Sequence, residues 1–474
     1  MSDEIWRKSA RELAQLISSK ELSSVEVVQA HLERIDEVNP ALNAIAVTLG
    51  DEALAAAESA DSRLRSGEGP IGPLHGVPVT IKENLDVAGT ATTNGVPSKV
   101  DAYVDRDAPL VERLRNAGAI VVGRTNLPDL GLRIHTQSSL RGLTRNPWHR
   151  GRTTGGSSGG DASALASGMT PLGIGNDIGG SLRSPAHCCG ISSIKPTTGR
   201  IPMATDVEPI DGPLSFQMLL VNGVMARNIA DVRLGLNIVS GAHPRDPESM
   251  PVPPTSVESA GTRGRVAVVA EPPGGSTHPG VAAIVREAGE RLARAGYEVE
   301  EVTPPDYETA INVWHEFLFT ELRVAMPELR PVMGEEGRRF IEAVIDNEPV
   351  LDLKAFVDLF SERRRIARVW LEFFESYSVV LSPIWTQPAF EHGWDAESTA
   401  NSLGAMELSR PVTPANFLGL PAAATPGGFI DGVPVGVQCI AAPWREDIAL
   451  DAAAAIEAEV GVLTPVSPFV NERP

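Results

Sequence analysis

Three short stretches carry the residue types that acyl chemistry needs. TGGSSGGDAS (154–163) sets Ser157 and Ser158 between pairs of glycines, and GNDIGGSLR (175–183) sets Ser181 after two more. HGVPVTIKENLDVAG (75–89) runs through Val77, Val79 and Ile81 to Lys82. Breaking an unreactive acyl bond takes a nucleophile, a base and donors for the oxyanion that develops. Serine hydroxyls supply the first. Glycine lacks a Cβ, so backbone N–H groups can converge on one point, and Ile178, Gly179, Gly180 and Ser181 form such a run. A lysine acts as base only when neutral, and burial favours the neutral amine. Each stretch alone also has a plainer reading. A lysine at a strand end is usually solvated, GGSSGG is a common linker composition, and GGS by itself says little. The nine histidines fall in no recognisable triad motif, and HExxH spacing for a metal is absent.

Periodicity indicates the elements that must position these residues. Apolar residues from Leu13 to Ile35 recur at helical spacing, and Ser23 with Glu26 predicts a capping box at the second helix. Residues 51–66 predict an Ala-rich helix. Lys82 closes a short strand. VERLRNAGAIVVG predicts a helix, a stop at Gly118 and a strand. The same rhythm returns as a strand over 265–271, a helix over 281–296 and a strand over 297–302, which points to an α/β fold. VVLSP (379–383) is a further strand, and VPVGVQCIA (434–442) closes a hairpin turned at Asp431-Gly432. Residues 243–264 are rich in Pro, Ser and Gly and read as a surface excursion or linker. Residues 305–378 read as helical, with Trp314, Phe317, Phe319, Phe356, Phe360, Trp370, Phe373 and Phe374 as core rather than pocket.

Composition narrows the function classes. With 474 residues and 42% hydrophobic content the chain can bury a large core. Its net charge of −20 repels phosphate backbones and anionic lipid, so nucleic acid is not an expected partner. Three cysteines, two of them adjacent, form no disulfide framework. No run of 18 apolar residues predicts a membrane span, and the N-terminus lacks a signal-peptide pattern, which leaves the cytoplasm as the expected location.

In their order and spacing, these stretches resemble the amidase signature family. GRTNLPDLG (123–131), TRNPW (144–148), KPTTGRIP (195–202) and NFLGLPAAATPGGFIDGVPVGVQCIAAPWRED (416–447) extend the resemblance over most of the chain. It implies one domain over 1–474 with the amidase signature fold, a central twisted mixed β-sheet flanked by α-helices on both sides. Residues 243–378 would be an excursion and a helical substrate-side region within it. The implied activity is hydrolysis of a linear C–N bond in an amide, with esters and carbamates (urethanes) as further substrates. It would pass through a seryl acyl-enzyme and need no cofactor or metal. Matched residue by residue, Ser181 is the nucleophile, Ser157 the bridging serine after a cis Gly156–Ser157 peptide, and Lys82 the base. Ile178, Gly179, Gly180 and Ser181 would hold the oxyanion, with Ser158, Asp177 and Arg183 in support. Gly131 and Leu132 would line the substrate site, together with Trp385, Leu420 and Trp444, under a lid containing Met203, Met218 and Leu219. Asn176 stands where the family often has Thr or Ser, and Arg124 where Lys is common; both are expected to stay clear of the triad. The expected partner is a small-molecule amide or ester, and the expected assembly a monomer or homodimer. The alternative is the A subunit of a tRNA-dependent amidotransferase, which supplies ammonia from glutamine.

Overall fold

The computed structural model describes residues 5–255 and 263–469. Residues 256–262 of the expected 243–264 excursion lie outside the described residues, and the rest of that stretch runs without helix or strand up to Arg265. Eleven strands form one mixed sheet. In chain order they are β1 (Ile45–Thr48), β2 (Pro78–Lys82), β3 (Ile120–Thr125), β4 (Leu172–Asp177), β5 (Ser192–Lys195), β6 (Val221–Ala226), β7 (Arg265–Val268), β8 (Glu298–Glu301), β9 (Val379–Pro383), β10 (Ala422–Ile430) and β11 (Val433–Ile440). Across the sheet they lie in the order β1-β3-β2-β4-β6-β5-β10-β11-β9-β7-β8. β3, β2 and β4 run parallel to one another, as do β9, β7 and β8, and antiparallel pairs join these blocks.

The period of two along each strand sorts side chains between two cores. Val379 and Leu381 enter one and Val380 the other; Ala423 enters the first, and Ala422 and Ala424 the second. The first core is capped by helices that include Ala10–Ser18, Pro109–Asn116, Ile229–Val239, Pro279–Arg294 and Glu446–Val460. The second lies under Gly159–Ala166, Arg183–Cys189 and three long helices, Tyr307–Leu329, Glu335–Asn347 and Leu353–Phe374. Trp314, Phe317, Phe319 and Trp370 are buried there, and Phe356, Phe360, Phe373 and Phe374 pack half-buried against them. Among the described residues no helix is long and apolar enough to cross a membrane.

Local signals account for several element ends. Ser23 Oγ accepts from the Glu26 N–H at 3.1 Å, and the Glu26 carboxylate accepts from the Ser23 N–H at 2.8 Å, so two otherwise orphaned donors are satisfied. Asp431 and Gly432 both have positive φ (49° and 77°), which a two-residue hairpin turn matched to strand twist requires.

Candidate active site

Alternation on β2 delivers Lys82 to its place. Val77, Val79 and Ile81 enter the first core, so Thr80 and Lys82 point to the opposite face, under the Gly159–Ala166 helix. Lys82 is fully buried. Its Nζ contacts Ser157 Oγ and Asn176 Oδ1, each at 2.7 Å. Burial pulls the amine well below the ordinary lysine range, against the opposing pull of the Asp161 and Asp177 carboxylates.

The Gly/Ser run is a packed loop and not a linker. Every residue from 155 to 160 is buried, and the Gly156–Ser157 peptide is cis. A Cβ on Gly160 would lie 2.4 Å from the Asn126 carbonyl oxygen, so a side chain there has no room. Thr136 Oγ1 accepts from the Gly159 N–H at 3.1 Å and donates to the Gly155 carbonyl at 2.8 Å, which pins the loop from its far side.

Ser181 follows β4. The Ser158 N–H donates to the Ser181 carbonyl at 3.1 Å and so ties the two serine loops together. Among the described residues no hydrogen bond joins the Ser157 and Ser181 hydroxyls. Asp177 organises the turn between them. Its carboxylate accepts from the Gly180 N–H (2.7 Å), the Leu182 N–H (3.1 Å) and the Arg183 guanidinium (3.0 and 3.1 Å). Arg183 also donates to the Val412 carbonyl, Gln438 Oε1 and Asn416 Oδ1. Burial alone would push the Asp177 carboxyl up, but Arg183 and these donors hold it far below the usual range. This is a fully buried, multiply bonded ion pair, the geometry in which losing one partner is costly.

Of the four N–H groups expected to face an oxyanion, that of Gly180 is occupied by Asp177. Those of Ile178, Gly179 and Ser181 have no acceptor among the described residues. Trp314 Nε1 donates to the Ile178 carbonyl at 3.1 Å, and a Cβ on Gly179 would lie 2.5 Å from the Trp314 ring. Gly131 sits opposite: its Cβ, were there one, would stand 3.5 Å from Ser157 Oγ. Leu132 is buried in the same core as Ile178 and Trp314. Ser157 and Ser181 are 2% and 7% exposed, while Gly131 and Gly179 beside them are half-buried.

The profile of the amidase family matches residues 26–450. The chain belongs to the amidase signature family. It is a hydrolase acting on amides. An indoleacetamide hydrolase of Bradyrhizobium diazoefficiens is 42% identical over 464 residues, 97% of this chain and 88% of that one. The A subunit of the glutamyl-tRNA(Gln) amidotransferase of Salinispora tropica is 33% identical, with 96% and 98% covered. A solved 6-aminohexanoate cyclic dimer hydrolase with bound substrate superposes with a TM-score of 0.82 at 28% identity, covering 98% of this chain and 99% of its own.

In this amidase several placements differ from expectation. Asn176 and Arg124 do touch Lys82. Asn176 bonds its amine, and Arg124, fully buried on the neighbouring strand, donates to the Lys82 carbonyl at 3.4 Å and also reaches Leu85 O. Both replace a smaller or shorter residue of the family pattern, and that replacement was the signal available in the sequence. Trp444 is 39% exposed on a left-handed turn (φ 67°), with its backbone N–H donating to Thr197 Oγ1 at 2.8 Å. Trp385 is buried with Nε1 donating to Ser184 Oγ at 2.8 Å, one residue along from the Arg183 brace. Leu219 is buried in the Ile178 core, whereas Met203 and Met218 are half-buried. Trp314, Asn416 and Gln438 act on the nucleophile loop from more than 130 residues away, which no local motif announces.

Proposed function

We propose that this amidase hydrolyses a small aryl-substituted primary amide of the indoleacetamide type through a seryl acyl-enzyme. The observation that carries the reading is the 2.7 Å contact between a fully buried Lys82 amine and Ser157 Oγ. The neutral amine takes the Ser157 proton while Ser157 takes that of Ser181. Ser181 Oγ then bonds to the substrate carbonyl carbon. The N–H groups of Ile178, Gly179 and Ser181 face the oxyanion. As the C–N bond breaks, the proton on Lys82 returns through Ser157 to the leaving nitrogen, which departs as ammonia. Water adds to the acyl-enzyme by the same relay, releasing the carboxylic acid and restoring Ser181. Proton return matters because an amide anion is a very poor leaving group. Substrate binding has to bring the Ser157 and Ser181 hydroxyls into contact.

The 42% likeness to an indoleacetamide hydrolase over nearly the whole chain supports the substrate class. Aryl esters and aryl carbamates present the same carbonyl and are further expected substrates, for a cytoplasmic monomer or homodimer. A panel of indole-3-acetamide, acetamide, an anilide and an aryl carbamate tests this. The highest kcat/KM on indoleacetamide is expected, and a preference for acetamide overturns it. The 33% likeness to one component of an amidotransferase favours a second reading. Glutamine-dependent transfer that appears only with co-purifying partners would decide for it.

A further inference from the structure

A cluster of buried polar groups lies beneath Lys82, and the acyl chemistry leaves it unused. Asp161, on the Gly159–Ala166 helix, is fully buried, and neither carboxylate oxygen has a hydrogen-bond partner among the described residues. Thr80, two residues before Lys82, and Thr125, paired with Lys82 across β2 and β3, are buried too, and their hydroxyls also lack partners. A Cβ built on Gly173 of β4 would lie 3.1 Å from Asp161 Oδ1 and 3.3 Å from Thr80 Oγ1, so helix and strands meet at one spot. Buried polar atoms are nearly always bonded, and four unbonded ones in one place call for a reason.

Besides the Thr125 hydroxyl and its own N–H, which favour the charged form without meeting hydrogen-bond geometry, the Asp161 carboxylate is stabilised by charge. The cations facing Asp161 are Lys82 from β2 and Arg124 from β3. The carboxylates facing Lys82 are Asp161 and Asp177, with Ser157 and Asn176 as its neutral partners. Asp177 is already committed to Arg183, which leaves Asp161 as the counter-charge not otherwise engaged. We propose that Asp161 is a positioning residue for Lys82, a buried counter-charge that governs when the amine is free to take the Ser157 proton. This rests on the reading of Lys82 as the base. Burial pushes the Asp161 carboxyl up and pulls the Lys82 amine down, and each opposes the other's shift.

A neutral side chain at position 161 removes a negative charge, which makes the ammonium less favourable and frees the amine at lower pH. The test is kcat/KM against pH for wild type, Asp161→Asn and Asp161→Ser, with Lys82→Ala alongside. It is paired with NMR titration of 15N-labelled lysine Nζ, where the chain has six lysines and the resonance missing from Lys82→Ala is the one to follow. In Asp161→Asn the acid limb and that resonance are expected to move down together by about one pH unit. A limb and resonance that stay in place in folded protein overturn the proposal, as does failure of both substitutions to fold, which would make Asp161 a structural residue. The two roles separate cleanly. A Lys82→Ala enzyme with full amide activity removes the base, whereas an inactive Lys82→Ala with an unmoved Asp161→Asn limb removes only the role of Asp161.

Discussion

One amine decides the residue scale. Lys82 sits at the end of an apolar alternation, and that alternation made its burial legible in the sequence. Its partner Asn176 was not legible in that way, because hydrophobic spacing does not encode which side chain reaches across a strand end. If Lys82 returns the proton to the leaving nitrogen, Lys82→Ala should lower kcat/KM on a primary amide by about 10²- to 10⁴-fold. It should lower activity on an activated aryl ester much less, because that leaving group needs little protonation. Equal losses on both substrates would argue against the relay. Ser181→Ala should abolish turnover and leave the thermal midpoint close to wild type. Burial lowers the amine, and the neutral form is the active one, so kcat/KM should rise with pH along a limb lying well below 10.5, the ordinary lysine value. A limb near 10 would mean that the amine is solvated.

At the scale of elements, the nucleophile loop is held from two directions that motif reading treats unequally. The near brace, Asp177 with Arg183, lies inside a signature stretch and was expected from the resemblance. The far brace is Trp314, on the Tyr307–Leu329 helix, which the aromatic spacing assigned to core. It is core, and it also bonds the carbonyl of Ile178, so the bland reading was right and incomplete. Periodicity reports which face is apolar but says nothing about what an indole N–H will meet. Trp314→Phe keeps most of the packing and removes one hydrogen bond, which contributes about 0.5–1.5 kcal/mol. If that bond orients the Ile178 and Gly179 N–H groups, kcat should fall by up to about tenfold with little change in KM. A rise in KM alone would assign Trp314 to substrate binding. Gly160→Ala probes the other loop. With a carbonyl oxygen 2.4 Å from the added methyl, overpacking should cost about 1–3 kcal/mol or more in urea unfolding. An unchanged midpoint would show that the serine loop yields easily.

For the whole molecule, the groups that burial shifts fix how stability follows pH. Lys195, at the end of β5, is fully buried, donates to the Pro196 carbonyl at 2.8 Å, and is drawn by burial from 10.5 to about 7. Between those values the unfolded chain binds a proton at Lys195 that the folded chain refuses. Stability therefore rises with pH, with a slope of at most about 1.4 kcal/mol per unit from this group. The buried histidines, such as His31 and His187 at about 4, and Glu457 at about 6 have finished titrating below this window, so they do not mask it. The three buried thiols act in the opposite sense. Burial raises Cys188, Cys189 and Cys439, the last to about 12, so above the ordinary 9.0 the folded chain keeps protons that the unfolded chain releases. Lys82, drawn down to about 7 in the same way, adds to the rise, so two lysines rising from pH 7 and three thiols falling from pH 9 place a stability maximum near pH 9. Urea unfolding at pH 7, 8, 9 and 10 should show the midpoint climb and then drop, and Lys195→Met should reduce the climb by about half, the share left being that of Lys82, while leaving the drop. A wild-type midpoint that falls steadily from pH 7 would mean that Lys82 and Lys195 both keep their protons in the fold, and with them charges that the surrounding core must then be able to solvate.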